Sequence, residues 1–105
     1  MFSRNQRIPR NQIKKVISEG QKCHSELFLL RKLENNLNKD RFAVVVSKKV
    51  SKKAVERIIL KRKIKGIIRS ISYRNGIGHD FVFLLSSKIK DKKREYIFKE
   101  IKRHI

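Results

Sequence analysis

Ten lysines and arginines fall within the 23 residues from Ser47 to Arg69, where Glu56 is the only acidic residue. Ammonium and guanidinium groups neutralise phosphates and release their counterions, so a cluster of this kind is suited to binding nucleic acid. Arginine adds a planar fork that matches two phosphate oxygens, so Arg57 and Arg62 are expected to contribute more than the neighbouring lysines. Because like charges at this density repel one another, the segment is expected to need an anionic partner.

The rest of the chain shares this charge. Its 105 residues hold 29 Lys and Arg against nine Asp and Glu, for a formal net charge of +20. That length accommodates one domain over residues 1–105, with residues 1–10 as a candidate flexible basic arm. Nucleic acid is the expected partner. No stretch approaches the roughly 18 apolar residues of a membrane-spanning helix, so no membrane is expected.

The remaining residue types offer little for bond chemistry. Cys23 is the only cysteine, which excludes an internal disulfide and fits a reducing compartment. The first ten residues lack the apolar run of a signal peptide, so a cytoplasmic protein is predicted. The sequence contains no carboxylate pair, no Cys/His constellation and no Gly-rich phosphate loop. We therefore expect no catalytic residue, no metal and no cofactor bound by the protein alone.

The elements that must position the basic cluster begin with a short helix. It is predicted to open near Pro9 and to end at Gly20, with Ile13, Val16 and Ile17 on one face.

Two strands are predicted next. They cover 26–33 and 41–48, and the polar residues 35–40 are expected to join them as antiparallel neighbours. The second strand is apolar on both faces, which favours a central place in the sheet. A further short extended piece is expected around Val50.

The basic residues continue into a helix that begins near Lys52 or Lys53 and runs to about Ser70. Its apolar face, which should contact the sheet, comprises Leu60, Ile64, Ile67, Ile68 and Ile71. Beside it runs a column of positive charge at intervals of four residues: Arg57, Lys61, Lys65 and Arg69.

A loop over 72–78, a third good strand over 79–85 and a last helix from Lys88 to about Arg103 complete the pattern. Ser87 is the expected cap of that helix, and its buried stripe is predicted as Ile89, Tyr96, Ile97 and Ile101. The order is α-β-β-(β)-α-β-α. It predicts an α+β fold with a mixed sheet of about four strands and helices packed on it.

This order and the basic motif together resemble the protein subunit of bacterial ribonuclease P. The motif is Ser-Lys-Lys at 47–49, then Ala-Val-x-Arg at 54–57, then Lys-Arg at 61–62. The resemblance covers nearly the whole chain. Ile58 and Ile59 stand where the family usually has Asn-Arg, Ser51 replaces a glycine, and Gly66 replaces a glutamate. Ile13 and Ile17 stand where aromatic residues are common.

The resemblance implies a left-handed β-α-β crossover, as in the second domain of a small-subunit ribosomal protein, and two RNA-facing surfaces. The first docks on the catalytic RNA through Lys48, Lys49, Lys52, Lys53, Arg57, Lys61, Arg62, Lys65 and Arg69. The second is a cleft between the first helix and the sheet. It holds the single-stranded 5′ leader of precursor tRNA through Ile13, Ile17, Phe28 and Arg31. For Phe28, core packing and stacking on the leader are equally open interpretations.

The implied function is that of a non-catalytic subunit of an endoribonuclease that removes 5′ leaders from precursor tRNA. One protein monomer binds one RNA, and the RNA holds the Mg²⁺ ions that do the chemistry. The protein would tighten substrate binding and lower the magnesium requirement.

Three other functions compete with this one. A small ribosomal or other structural RNA-binding protein of related fold would share the charge but gives no reason for the motif spacing. A DNA-binding protein would call for a helix-turn-helix or a dimer with β arms, and neither pattern is visible. A metal-dependent nuclease would require a carboxylate cluster. Two interpretations of Ile58 and Ile59 also stay open: packing under the N-terminal arm, or loss of an RNA contact.

Overall fold

A computed structural model describes residues 7–71 and 78–105, so the first six residues and most of the predicted loop over 72–78 lie outside the described residues. The elements, in chain order, are α1 (Arg10–Glu19), β1 (Gln21–His24), β2 (Phe28–Glu34), β3 (Arg41–Val45), α2 (Ala54–Ile71), β4 (His79–Leu85) and α3 (Arg94–His104).

The four strands form one mixed sheet in the order β1-β2-β4-β3. β1 pairs with β2 and β2 pairs with β4, both antiparallel, whereas β3 pairs with β4 in parallel. Helix α2 connects the two parallel strands in a β-α-β unit. The predicted α+β fold with a mixed four-stranded sheet is therefore confirmed, while the left hand of the crossover stays a prediction.

The fourth strand lies elsewhere than predicted. β1 occupies Gln21–His24, directly after α1, and the expected extended piece at Val50 is wrong. Val50 lies in a turn, where its N–H donates to the carbonyl of Ser47 at 3.1 Å. Its side chain is buried in the core, so the apolar residue reflects packing of the turn and not a strand.

The lateral position of β3 also differs from the prediction. β3 is an edge strand, and residues 35–40 do not join neighbouring strands, because β4 lies between β2 and β3. Phe42 and Val44 pack on one face of the sheet and Ala43 on the other. The side chains of β3 are buried on both faces because helices cover both sides of the sheet. Their burial therefore does not show whether the strand is central or at the edge.

The core is divided by the sheet. One side packs against α2 and α3, where Phe28 and Phe83 meet edge to face with ring centroids 5.1 Å apart. The other side packs against α1 and centres on Val16 and Val82. Ile8 is buried in this second cluster and its N–H donates to the Phe42 carbonyl. Residues from Arg7 onward in the candidate arm are therefore packed on the sheet.

Gly20 ends α1 for a steric reason. Its N–H donates to the Val16 carbonyl at 2.8 Å, and a Cβ at this position would collide with that same oxygen. It would also lie 3.1 Å from the carbonyl oxygen of Lys32 on β2. The glycine therefore lets the helix end close against the sheet.

The C-terminal helix is interrupted. A 3-10 turn covers Ser87–Asp91, and α3 begins only at Arg94, because the backbone is extended at Lys92 and Lys93. The cap is Ser86, not Ser87: its Oγ accepts from the Lys88 N–H at 3.3 Å.

The buried stripe of this region is confirmed for three of its four predicted members. Ile89, Ile97 and Ile101 are buried. Tyr96 is 38% exposed instead, and its hydroxyl donates to a carboxylate oxygen of Glu26 at 3.0 Å.

Candidate nucleic-acid interface

Helix α2 is fixed to the sheet by its apolar face. Ile64, Ile67 and Ile68 are fully buried against the core. Since an α-helix repeats about every 3.6 residues, the residues of α2 that do not share this face point away from the sheet or to its sides. The basic side chains of α2 are thereby directed outward or to the flanks of the helix.

The predicted RNA-binding residues gather along α2 and the turn that precedes it. Most of these side chains are exposed, and two of them are half-buried. The exposed ones are Lys48, Lys49, Lys52, Lys53, Lys61, Arg62 and Arg69, and the half-buried ones are Arg57 and Lys65.

The acidic residue in this surface compensates little of its charge. Glu56 accepts a hydrogen bond from the Ser51 hydroxyl at 3.0 Å. It also forms long ion pairs with Lys53, at 3.9 Å, and with Lys90, at 3.8 Å. Exposed pairs of this kind contribute little. The surface therefore keeps a large excess of positive charge.

Arg57 has a structural contact that the sequence did not suggest. Its Nη1 donates to the carbonyl oxygens of Ser51, at 2.9 Å, and Lys52, at 3.0 Å. These bonds hold the turn with the exposed lysines against the first turn of α2. Arg57 thus positions other cations, in addition to carrying its own charge.

A cleft between the N-terminal segment, β3 and α2 extends the basic surface. It has a volume of about 320 Å³. Arg7 and Arg10 line it on one side and Lys61 and Lys65 on the other, above an apolar floor that includes Phe42. The sequence placed Arg7 and Arg10 in a candidate basic arm but did not assign them to the RNA-binding surface. The signal was the Arg-Ile-Pro-Arg run that places two cations around the start of α1.

Crowding of positive charge in this cleft affects Lys65. Burial lowers the pKa of the Lys65 ammonium, and the nearby charges of Lys61 and Arg7 lower the pKa further. A polyanion placed in the cleft would favour the charged form and reverse this effect.

The predicted leader cleft is only partly assembled. Ile13 and Ile17 lie half-buried on the α1 side of the sheet, packed on the cluster around Val16 and Val82. Phe28, in contrast, is 1% exposed and packs in the core on the opposite side of the sheet. Successive strand residues alternate between faces, so Phe28 cannot reach a ligand under α1. Its assignment to the leader cleft is wrong.

Arg31 lies on the α1 side, as the leader cleft requires. Its register partner on β4 is Val82, and cross-strand partners share a face. The residue is 8% exposed, and its Nε has no hydrogen-bond partner among the described residues. A buried guanidinium N–H without an acceptor is costly. The arrangement is suited to an external anion or carbonyl acceptor.

The same face holds a buried network at the start of α1. The Arg41 guanidinium pairs with Asp80, and its Nη2 also donates to Gln12 on α1 at 2.7 Å. Asp80 accepts hydrogen bonds from both Arg41 and Asn35. The network fixes where α1 lies over the sheet.

Among residues 7–71 and 78–105, no group of three or more His, Cys, Asp or Glu side chains is placed to hold a metal ion. In the same ranges, no helix combines the length and apolar character needed to cross a bilayer.

Comparison with known proteins places these features in a family. A family model described as Ribonuclease P matches residues 2–105. The ribonuclease P protein component of Rippkaea orientalis is 33% identical over 93 residues, which cover 84% of this chain and 73% of that protein. The corresponding protein of Petrotoga mobilis is 29% identical over 99 residues, or 94% of this chain and 82% of that one.

Solved structures share the fold. The RNase P protein from Thermotoga maritima superposes with a TM-score of 0.81 at 24% identity, covering 92% of this chain and 96% of that chain. The RNase P protein from Staphylococcus aureus gives a TM-score of 0.80 at 20% identity, with coverage of 93% and 90%.

Proposed function

Because the chain belongs to the ribonuclease P protein family, we propose that it is the RNA-binding subunit of a ribonuclease P that removes 5′ leaders from precursor tRNA. Family membership itself implies a part in an RNA-processing enzyme and a role in tRNA processing. The proposal adds which surfaces bind RNA, that the protein contacts the 5′ leader of the substrate, and that it lowers the magnesium requirement.

The observation that carries the proposal is the concentration of exposed cations on α2 and the turn before it. They lie on one rigid surface with Glu56 as the single acidic residue between Ser47 and Arg69. In the proposal this surface binds the catalytic RNA by replacing the counterions of its phosphates. Arg62 is exposed and can make such a contact, whereas Arg57 also holds the turn in place.

The α1 side of the sheet is the proposed site for the single-stranded leader. Ile13 and Ile17 offer an apolar surface, and Arg31 offers a buried Nε–H that has no acceptor within residues 7–71 and 78–105. Proteins that bind single strands combine positive charge with flat or apolar contacts to the bases. In this chain the contacts would be aliphatic, because Phe28 belongs to the core.

The chemistry is proposed to belong to the RNA. Divalent magnesium held by the RNA would activate water and stabilise the leaving oxygen. The protein, acting in the cytoplasm as one monomer per RNA, would screen repulsion between the RNA subunit and its RNA substrate. A lower magnesium requirement follows from that screening.

The test is a reconstitution with the ribonuclease P RNA from the same source, measured as precursor tRNA cleavage at low magnesium. The protein should increase cleavage, and the increase should be larger for a substrate with a 5′ leader. Arg62→Ala should weaken the stimulation for all substrates, whereas Arg31→Gln should weaken it only for those with a leader. Lys99→Ala, an exposed change on α3, is the matched control and should have no effect.

If the wild-type protein gives no stimulation with its own RNA but binds ribosomal RNA tightly, the subunit function is refuted. The alternative of a structural RNA-binding protein of the same fold would then be favoured.

A further inference from the structure

The outer face of α2 carries an apolar stripe that the rest of the described chain leaves exposed. Val55, Ile58 and Ile59 are 68%, 51% and 60% exposed. They lie on the side of the helix opposite Ile64 and Ile67, which are fully buried. Single exposed apolar residues are ordinary, but neighbouring ones on one face mark a surface that contacts something else.

Gly66 continues this stripe toward the end of the helix. Val55, Ile59, Arg62 and Gly66 follow one another at separations of four, three and four residues, the spacing of one helical face. Glycine inside a helix is less favourable than alanine. A Cβ at Gly66 would meet no atom within 4 Å, whereas at Gly20 it would collide with the backbone. Packing within the described fold therefore gives no reason for glycine at 66.

Positive charges border the stripe on both sides. Lys61 and Lys65 follow one flank of the helix, and Arg62 stands within the stripe. On the other flank, Lys63 and Lys90 line a cleft with Glu56, so two cations there face one carboxylate. A partner must therefore be anionic along two edges and apolar between them. A second copy of this chain does not meet that requirement, since its formal charge is also +20.

We propose that the outer face of α2 packs into the shallow minor groove of a double-stranded segment of the RNA subunit. The minor groove of A-form RNA is wide and shallow, and between two phosphate backbones it displays base edges and riboses, whose carbon atoms offer apolar contact beside the 2′-hydroxyls. Ile58 and Ile59 would contact the riboses, and the lysines on each flank would reach the phosphates. At Gly66 the absent side chain would let the helix backbone approach the RNA closely.

This inference rests on the proposed function and adds the mode of binding. The family pattern has a polar Asn-Arg pair at 58–59, which suits hydrogen bonding, whereas this chain has two isoleucines. Apolar contacts release no counterions, so they contribute affinity that is independent of salt. Lysine contacts to phosphate contribute affinity that falls as salt rises.

The salt dependence of binding provides the first test. Affinity of the full chain for its ribonuclease P RNA is measured over a range of KCl concentrations. The double variant Ile58→Ser/Ile59→Ser should weaken binding about tenfold or more and leave the slope of log K against log salt unchanged. Lys61→Ala should reduce the magnitude of that slope by about one. Leu37→Ser, an exposed apolar change in the β2–β3 connection, is the control and should bind like wild type.

The second test uses Gly66→Ala. The added methyl group has open space in the protein, so the thermal midpoint should not fall, yet RNA affinity should drop about tenfold. Hydroxyl-radical footprinting, which reports ribose exposure, should show protection on both strands across one minor groove, and Gly66→Ala should reduce it.

The outcomes separate the two proposals. If wild type fails to bind the RNA, the proposed function fails with the binding mode. If wild type binds tightly and both the isoleucine and glycine variants match it, only the minor-groove mode is overturned. A change of salt slope in the isoleucine double variant would likewise overturn it, because these residues would then act through charge.

Discussion

The guanidinium of Arg41 and the carboxylate of Asp80 form a two-bond ion pair between adjacent parallel strands. Nε donates to Oδ1 at 2.8 Å and Nη2 donates to Oδ2 at 2.7 Å, and both side chains are largely buried. Donation of these hydrogen bonds to Asp80 raises the pKa of Arg41 above its ordinary value. Because Nη2 also bonds Gln12, and Asp80 also accepts from Asn35 at 2.8 Å, the pair joins α1 to the sheet.

Replacing Arg41 with leucine should destabilise the protein by about 3–5 kcal/mol, because the Asp80 carboxylate would stay buried without a counter-charge. The double variant Arg41→Leu/Asp80→Leu should recover much of that loss. Urea unfolding of the single and double variants measures both effects. If Arg41→Leu lowers the free energy of unfolding by less than about 1 kcal/mol, the ion pair is better solvated than its burial indicates.

Gly20→Ala should destabilise the fold, whereas Gly66→Ala should stabilise it by about 0.5–1 kcal/mol. At Gly20 the new methyl group collides with the Val16 carbonyl oxygen, and at Gly66 it meets open space. The two changes are chemically identical, so their opposite signs test the close approach of α1 to β2 directly. Thermal unfolding is the measurement. Equal effects at the two sites would refute the steric role of Gly20.

Arg57→Ala should reduce both stability and RNA affinity, whereas Arg62→Ala should reduce affinity alone. Arg57 donates two hydrogen bonds to carbonyls in the turn before α2, and Arg62 is exposed. Hydrogen bonds from a charged group contribute about 1.5–3 kcal/mol when buried, and these half-exposed ones should lie at or below the lower end. Unfolding and RNA binding of both variants give the comparison. Wild-type stability in Arg57→Ala would contradict the positioning role.

Tyr96→Phe should raise the pKa of Glu26 toward its ordinary value. The Tyr96 hydroxyl bond is the main cause that lowers the pKa of Glu26, and the charge of Lys92 adds to it. A lowered carboxyl pKa in the folded state contributes stability above the pKa of the unfolded chain, and the contribution is lost as pH falls through the folded pKa. The stability difference between wild type and variant should therefore vanish in acid. An NMR titration of the Glu26 carboxyl that is unchanged by the substitution would refute the coupling.

At very low ionic strength the protein should be partly unfolded, and added sulfate should restore the fold. The net charge of +20 on 105 residues opposes compaction, and anions screen it or bind to it. Circular dichroism with increasing sodium sulfate measures the transition. Sodium chloride at equal ionic strength separates screening from specific anion binding. A spectrum that is the same with and without salt would contradict the prediction.

Local sequence patterns correctly predicted which face of a helix is buried, because that face depends only on the spacing of apolar residues along the helix. The spacing of Ile64, Ile67 and Ile68 correctly predicted the buried face of α2, and Ile13 and Ile17 were correctly placed on α1. The lateral order of the strands was not predictable in this way. Apolar residues on both sides of β3 report the layers above and below, so an edge strand covered on both faces resembles a central one.

Long-range partners set a second limit on the sequence-based prediction. Phe28 could be assigned to the core only once Phe83 and α3 were known to lie on its side of the sheet. The same holds for Arg57, whose carbonyl partners depend on the path of the turn before α2. Arg41 and Asp80 lie 39 positions apart and pair only because β3 and β4 are adjacent.

The strand order has a consequence for how the chain is made. β4 lies between β2 and β3, although it is the last of the four to be synthesised. While the ribosome translates the first 78 residues, the strand that pairs with both β2 and β3 is absent. The ring contacts of Phe28 with Phe83 and of Phe42 with Phe81 cannot form until β4 has been made. The complete sheet should therefore form only after β4 has left the exit tunnel, whereas β1 and β2 can pair earlier. Until then the chain, with its excess of lysine and arginine, emerges beside ribosomal RNA without a complete sheet.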